Sequence, residues 1–166
     1  MPDTGIHHVA YACRDLKETH HFYSDLMGLE LVHTEVKDLG DGFFRHAFYD
    51  TGDGSAIAFF DVHGAGEEDE WSSAVSTGNG LPVWVNHIAF GADEERMEGV
   101  RSRMDAAGVD SLMEVDHGWC HSLYYVDPNG IMVEMCRDTP GIDPDPGQAQ
   151  SRLDSTESTD ESELIL

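Results

Sequence analysis

Three residues with metal-ligating side chains, His8, His87 and Glu134, stand at matched places in a sequence that repeats itself. His8 belongs to the segment His-His-Val-Ala-Tyr at 7–11, and His87 belongs to the similar segment Asn-His-Ile-Ala-Phe at 86–90. Glu134 interrupts an apolar segment, where an unpaired carboxylate would be costly and a metal would be a suitable partner. Two imidazoles and one carboxylate that leave positions open suit Fe(II) or Mn(II). The pattern therefore predicts a divalent metal centre.

The first copy of the repeat lacks a fourth ligand, because the position that matches Glu134 holds Ala58. A structural zinc site would need four protein ligands, usually with cysteines among them. The three cysteines, at positions 13, 120 and 136, show no CxxC spacing. We therefore expect a three-ligand metal centre with open positions, and reduced thiols without a disulfide framework.

Both copies of the repeat have the pattern of a β-α-β-β-β module. Each begins with a segment of alternating character and β-forming residues, which is typical of a strand. A helix is predicted in each copy, from Asp15 to about Gly28 and from about Asp93 to Gly108. A turn rich in Gly, Asp or Asn then leads to a last apolar strand. The sequence thus predicts an α+β fold built from two similar modules.

One domain is expected over residues 1–137, with module one at about 5–63 and module two at about 85–137. Residues 64–84 are rich in glycine, serine and acidic residues, which predicts a linker or surface loop between the modules. Residues 138–166 are rich in proline, aspartate, serine and threonine, which predicts a disordered acidic tail.

The chain is strongly acidic, with 33 Asp and Glu against 9 Lys and Arg and a net charge of −24 over 166 residues. This charge argues against nucleic-acid binding, which needs a basic surface. No apolar run approaches the length of a membrane span, and the N-terminus lacks the pattern of a signal peptide. Halophilic proteins carry such charge, which molar salt screens. We therefore expect a protein of a salt-adapted cytoplasm.

The segments that carry the repeat resemble those of the vicinal oxygen chelate (VOC) superfamily. This superfamily includes glyoxalase I, extradiol ring-cleaving dioxygenases, and fosfomycin and bleomycin resistance proteins. The resemblance covers about residues 5–137. It rests on the two histidine segments and on two others, Phe-Tyr-Ser-Asp-Leu-Met-Gly-Leu-Glu-Leu at 22–31 and Tyr-Val-Asp-Pro-Asn-Gly-Ile-Met-Val-Glu at 125–134.

The resemblance implies that the two βαβββ modules pair into an open, metal-centred β-barrel. Modules of this family pair within one chain or between chains, so a homodimer is one expected assembly. The family's metal ligands fall on His8, His87 and Glu134, the residues that the repeat singles out. Fe(II) is the first expectation for the metal, with Mn(II), Zn(II), Ni(II) and Co(II) as alternatives.

The resemblance also implies catalytic residues beside the metal. Extradiol dioxygenases place a histidine and a tyrosine of the second module around the substrate, and His117 and Tyr125 lie at about the matching places, with Tyr124 as the alternative tyrosine. The base histidine of those enzymes would fall at 54–55, where this chain has Gly-Ser. His46, one strand earlier, is a candidate substitute.

The segment 116–125 could supply a wall of the substrate pocket, because it combines imidazole, indole and phenol side chains. Its predicted substrate-binding residues are Trp119, His121 and Tyr124. Arg45 is one of the few cations and could attract an anionic substrate.

Three functions remain open at this point. An extradiol-type dioxygenase that cleaves catechol rings is the first, because three ligands and Ala58 match that class better than the four-ligand glyoxalases. The second is a metal-dependent lyase or isomerase of glyoxalase or epimerase type. The third is a non-catalytic binding protein of the bleomycin-resistance type. In either enzyme, a substrate with two adjacent oxygens would chelate the metal, which lowers the pKa of the bound hydroxyl.

Overall fold

The computed structural model describes residues 5–66, 70–142 and 145–155. Module one contains four strands and a helix that becomes π-helical in its second half. Their bounds are β1 His8–Ala12, α1 Leu16–His20 with the π-helical continuation His21–Leu26, β2 Glu30–Asp38, β3 Phe43–Asp50 and β4 Ala56–His63. The predicted order β-α-β-β-β is confirmed for this module.

Module two repeats the same order. Its elements are β5 His87–Gly91, α3 Glu94–Ala106, β6 Met113–Asp116, β7 Cys120–Val126 and β8 Met132–Asp138. Between the modules lie a short helix, α2 Val75–Gly78, and a 3-10 turn, Val83–Val85. A further helix, α4, spans Pro146–Asp154.

Each module forms its own four-stranded mixed sheet. The strand orders are β1-β4-β3-β2 and β5-β8-β7-β6. In both sheets the first and last strands of the module pair in parallel, and the other neighbours are antiparallel. The α+β fold with two βαβββ modules is therefore confirmed, but among the described residues the two sheets do not close into one barrel.

Local sequence signals set the ends of the helices. The Asp15 carboxylate accepts hydrogen bonds from the amides of Lys17 and Glu18, at 2.7 and 3.1 Å, and so caps α1. Asp93 caps α3 in the same way. Gly108 adopts a left-handed φ of 73°, which ends α3 without the strain that a side chain would bring.

The two modules share one hydrophobic core on the helix side of both sheets. Tyr23, Met97 and Val100 come from the helices, and Phe59 and Leu123 from the strands; all are buried in the same cluster. Because side chains alternate along a strand, the strand residues of this core all come from one face of each sheet. We call that face the core face.

The opposite side, the outer face, carries the polar residues of interest. In module one it presents His8, His46, Phe48 and Ala58. In module two it presents His87, Ser122, Tyr124 and Glu134, with a small apolar cluster around Val115, Tyr124 and Met132. The modules therefore meet through their core faces.

A buried hydrogen bond joins the modules at the edge of the core. The Asp127 carboxylate, only 4 % exposed, accepts from the Tyr23 hydroxyl at 3.0 Å. It also accepts from the amide of Ile131 at 2.7 Å, and burial raises its pKa.

We expect Tyr23→Phe to lower the free energy of unfolding by about 1–3 kcal/mol, because the buried carboxylate loses one of its donors. Urea unfolding in molar KCl measures this change.

Tyr125→Phe is the matched control for that prediction. Tyr125 is as deeply buried as Tyr23, but its hydroxyl has no hydrogen-bond partner among the described residues. Removing that hydroxyl should leave stability unchanged or raise it, since a desolvated polar group disappears. Equal losses in the two variants would contradict the stabilising role of the Tyr23–Asp127 bond.

Part of the predicted acidic tail is helical. Helix α4 begins after Asp145, whose carboxylate accepts from the amide of Gln148 at 3.0 Å, and Pro146 stands in its first turn. No residue of this helix is buried. The rest of the tail prediction, at residues 143–144 and 156–166, lies outside the described residues.

No helix in the described part of the chain has the length and apolar character of a membrane span.

Candidate metal centre

His87 and Glu134 meet on the outer face of module two. Their strands, β5 and β8, run parallel and adjacent, with Ala89 opposite Glu134. The Nε2 atom of His87 lies 3.1 Å from Oε2 of Glu134. Glu134 is 5 % exposed, so this carboxylate is held away from water and needs a positive partner.

A backbone carbonyl sets the proton arrangement of His87. Its Nδ1 lies 2.8 Å from the carbonyl oxygen of Trp84, which can only accept, so Nδ1 carries the hydrogen. In a neutral ring the lone pair of Nε2 then faces the Glu134 carboxylate. Two acceptors at this distance require a proton or a metal cation between them.

This arrangement fits a divalent metal. Metal-bound histidines commonly donate their second ring nitrogen to a carbonyl or carboxylate, which orients the ring. Nitrogen and oxygen ligands lie about 2.0–2.2 Å from such an ion, so atoms 3.1 Å apart can bind the same ion. Ser122 adds support from behind, because its buried hydroxyl donates to Oε1 of Glu134 and leaves Oε2 directed at His87.

Tyr124 and His117 lie beside this pair. Tyr124 stands directly opposite Glu134 in the β7–β8 register, and its ring centroid is 6.1 Å from that of His87. Its hydroxyl lies 3.0 Å from Nε2 of His117. Burial raises the pKa of Tyr124, and the Glu134 carboxylate raises it further, so the phenol keeps its proton at neutral pH. Tyr124 is therefore placed to donate a proton, with His117 as its hydrogen-bond partner.

His8 lies on the outer face of the other module. Its ring is 5.3 Å from that of Phe48 and 6.3 Å from that of His46, and its Nδ1 is 2.8 Å from Nδ1 of His7. In the part of the chain that the structure describes, no hydrogen bond, ion pair or ring contact joins His8 to His87 or Glu134. The predicted triad is thus present as a pair on one sheet and a single histidine on the other.

His46 is on the same outer face as His8. Its ring is stacked on Phe60, with centroids 3.6 Å apart, and its Nδ1 lies 3.4 Å from Oε1 of Glu35. Its Nε2 is buried and has no hydrogen-bond partner among the described residues. Burial lowers the pKa of this imidazole, although the Glu35 hydrogen bond opposes the shift. His46 is therefore a neutral imidazole near His8. Ala58, which is fully buried on β4, occupies the position in module one that matches Glu134.

Three residues expected at the site lie elsewhere. Tyr125 belongs to the core face and is buried in the core shared by the modules. His121 pairs with Glu114 at 2.8 Å, on the helix side of the sheet. Arg45 forms an ion pair with Asp61. All three are one residue away from an outer-face position, and alternation along a strand turns each of them to the opposite face.

Trp119 is in the turn between β6 and β7 and is 59 % exposed. Its ring centroid is 6.2 Å from that of His117, so it stands at the margin of the site.

Sequence reasoning missed Ser122 and the carbonyl of Trp84. The two-residue spacing of Ser122 from Tyr124 is the signal that could have identified the serine, because residues i and i+2 of a strand share a face.

Comparison with known proteins relates the chain to one family. The family model described as Glyoxalase/Bleomycin resistance protein/Dioxygenase superfamily matches residues 5–135. Among solved structures, a glyoxylase/bleomycin resistance protein/dioxygenase domain from Frankia sp. EAN1pec is 18% identical, with a TM-score of 0.62, over 84% of this chain and 95% of that chain.

Two fosfomycin resistance proteins, both named FosX, are also similar in fold. A variant from Listeria monocytogenes, complexed with Mn(II) and 1S,2S-dihydroxypropylphosphonic acid, is 20% identical with a TM-score of 0.58, over 90% of this chain and 98% of that chain. FosX from Mesorhizobium loti is 20% identical with a TM-score of 0.54, over 92% and 100% of the two chains. At this identity the likeness concerns the fold.

Proposed function

Because the chain belongs to the Glyoxalase/Bleomycin resistance protein/Dioxygenase superfamily, we propose that it is a metal-dependent enzyme whose small substrate chelates the metal through two adjacent oxygens. One observation carries this proposal. His87 and Glu134 direct two acceptor atoms at each other, 3.1 Å apart, with the Trp84 carbonyl occupying the other nitrogen of the ring. Only a cation or a proton relieves that contact.

The protein's own groups have separate roles in this proposal. His87 and Glu134 hold the metal, His8 is the third ligand, and Ser122 orients the carboxylate. When bound, the metal polarises the substrate and makes its hydroxyl more acidic. Tyr124 donates a proton to the substrate, supported by His117. This assignment places on Tyr124 the role that sequence reasoning gave to Tyr125.

The first candidate reaction is extradiol ring cleavage of a catechol with Fe(II). The histidine–tyrosine pair next to the predicted ligands favours it, and Ala58 in the fourth position fits a three-ligand centre. The second candidate is a reaction without oxygen, of lyase, isomerase or fosfomycin-modifying type. The similarity in fold to a FosX protein complexed with Mn(II) favours this candidate.

Metal analysis and two assays distinguish these candidates. Protein purified without oxygen in molar KCl should contain Fe or Mn. Oxygen uptake with a panel of catechols supports the first candidate, whereas substrate turnover under argon with Mn(II), tested with fosfomycin among other substrates, supports the second. A protein that binds no metal even after reconstitution would contradict both and leave a non-catalytic binding protein.

We also infer that a second copy of the chain completes the centre. The modules share a core through their core faces, so the outer face with His8 and the outer face with His87 and Glu134 do not meet within the described chain. In a two-fold dimer, each copy can supply His8 to the partner's His87 and Glu134.

Mixing two inactive variants tests this assembly. His8→Ala and Glu134→Ala should each lose metal alone. Mixed, unfolded and refolded together, they should regain part of the metal binding, because one of the two sites in each mixed dimer would have all three ligands. If each chain builds its own centre, mixing restores nothing. Sedimentation of the wild type should show a dimer.

The charge and the cysteines support a salt-rich, reducing cytoplasm as the location. All three cysteines are free thiols in the structure. A net charge of −24 opposes compact folding unless salt screens it, and at about 1 M salt the Debye length falls to about 3 Å.

We expect refolding, followed by circular dichroism, to fail below about 1 M KCl. Equal stability in dilute buffer and in molar KCl would contradict salt adaptation.

A further inference from the structure

Two of the three cysteines lie side by side next to Glu134. The sulfurs of Cys120 and Cys136 and a carboxylate oxygen of Glu134 all lie within 4.8 Å of one another. All three residues belong to the outer face of module two, on the neighbouring strands β7 and β8. Cys120 and Glu134 are buried, and Cys136 is partly exposed, so an ion could enter on the side of Cys136.

Ser122 stands among these groups. Its hydroxyl donates to Oε1 of Glu134 and lies 3.6 Å from the sulfur of Cys120 and 3.9 Å from that of Cys136. The carboxylate is thus shared, with Oε2 directed at His87 and Oε1 directed at the serine between the two thiols. The thiols themselves are weak donors and do little to compensate a buried carboxylate.

The donor set is chemically distinct from that of the histidine centre. Thiolates are soft ligands and favour zinc-class or cuprous ions over the harder Mn(II) and Mg(II). With zinc–sulfur and zinc–oxygen distances of about 2.3 and 2.0–2.2 Å, the ligand atoms of a tetrahedral site lie roughly 3.5–3.8 Å apart. The cluster, already within 4.8 Å, needs only a small closure to reach that spacing.

We propose that Cys120, Cys136 and Glu134 form a second metal site, for a thiophilic divalent cation such as Zn(II). Ser122 or a water molecule takes the fourth position. His87 takes no part in this site, which therefore goes beyond the proposed catalytic centre. The two sites share Glu134 as a ligand and Ser122 as the hydroxyl that donates to it. Because one carboxylate serves both, an ion on the two thiols changes the affinity of the histidine centre for its own metal.

Co(II) is the probe that separates the two sites. Thiolate ligation of Co(II) produces an intense sulfur-to-metal charge-transfer absorption, which nitrogen and oxygen ligands do not. The full chain, reduced with a phosphine under argon in molar KCl, should develop this absorption on titration with Co(II). Zn(II) added afterwards should abolish it by displacement.

Variants assign the absorption to the cluster. Cys120→Ser and Cys136→Ser should each lose it, whereas Cys13→Ser should keep it, because Cys13 is buried in module one. His87→Ala should also keep the absorption while losing the metal ion of the histidine centre, which has no sulfur ligand. Failure of the histidine centre and failure of this proposal are therefore distinguishable. Absence of the absorption in the saturated wild type, or its persistence in both Cys120→Ser and Cys136→Ser, overturns the proposal.

A measurement on the wild type alone covers the case in which a serine variant does not fold. Zn(II) should slow alkylation of Cys120 and Cys136, located by peptide mass spectrometry, and leave the rate at Cys13 unchanged. Equal alkylation rates with and without Zn(II) overturn the proposal.

Discussion

We expect Glu134→Gln to remove the divalent metal from the protein and to abolish the activity that depends on it. The substitution keeps the size of the side chain but removes the charge that faces Nε2 of His87. Changing a residue that only supports a metal ligand lowers affinity about 10–100-fold, so loss of a ligand should lower it by more than ~100-fold. Metal content after dialysis and a competition titration measure the change.

Stability gives a second readout of the same variant. A metal present at about 100 times its dissociation constant stabilises the folded protein by about 2.7 kcal/mol, and this increment should vanish in Glu134→Gln. The metal-free variant should be at least as stable as the metal-free wild type, because a buried carboxylate no longer faces a ring nitrogen.

Glu114→Gln is the matched control. Glu114 is on the same module, but its carboxylate forms an exposed ion pair with Arg101, at 2.8 Å, on the helix side of the sheet. This variant should keep its metal and its activity. Retention of full metal affinity by Glu134→Gln would remove Glu134 from the centre, and with it the proposed function.

Tyr124→Phe lowers kcat by about 10²–10⁴-fold while the metal content stays unchanged, if Tyr124 donates a proton to the substrate. The hydroxyl lies 3.0 Å from Nε2 of His117, and Tyr124 is not itself one of the predicted metal ligands. The variant therefore separates proton transfer from metal binding. Steady-state kinetics and metal analysis on the same preparation measure both quantities.

The pH profile adds a signature that a packing defect would not produce. Burial raises the pKa of Tyr124, so its protonated form persists above the usual tyrosine value. Wild-type activity should fall only as the pH rises through that raised pKa, and this alkaline limb should be absent from the residual activity of Tyr124→Phe.

Tyr125→Phe is the matched control, because it removes the same hydroxyl group from the neighbouring residue on the other face of the strand. The two tyrosines are neighbours on β7, but Tyr125 belongs to the core face and has no hydrogen-bond partner among the described residues. Its substitution should leave kcat unchanged. A loss of activity in Tyr125→Phe with none in Tyr124→Phe would return the proton-donating role to Tyr125.

The local features of the fold could be predicted because their causes are local. The caps at Asp15 and Asp93 act on amides a few residues away, and the glycine after α3 ends that helix through its own φ. The repeat showed that His8 and His87 occupy corresponding strands and that Glu134 lies on the last strand of module two. The structure places the side chains of His87 and Glu134 in contact. A period of two defines which residues of a strand share a face.

The candidate residues that the structure places away from the others differ from them in strand face, and the face depends on register, which is not a local property. Tyr124 and Tyr125 are equally plausible as neighbours of Glu134 until the β7–β8 pairing places Tyr124 opposite it. The same pairing turns His121 towards Glu114 and helix α3. A shift of one residue would reverse all of these positions, because it exchanges the two faces of the strand.

The sequence by itself determined the two βαβββ modules, the α+β class, the histidines at matched positions, and the alanine at position 58 where the second module has Glu134. Only the tertiary structure decided which faces are covered. The helices pack both core faces into one core, so His8 and the His87–Glu134 pair lie on separate outer faces. The reason is physical: alternation sorts side chains into two faces, but burial of apolar area between distant segments selects the face that is hidden.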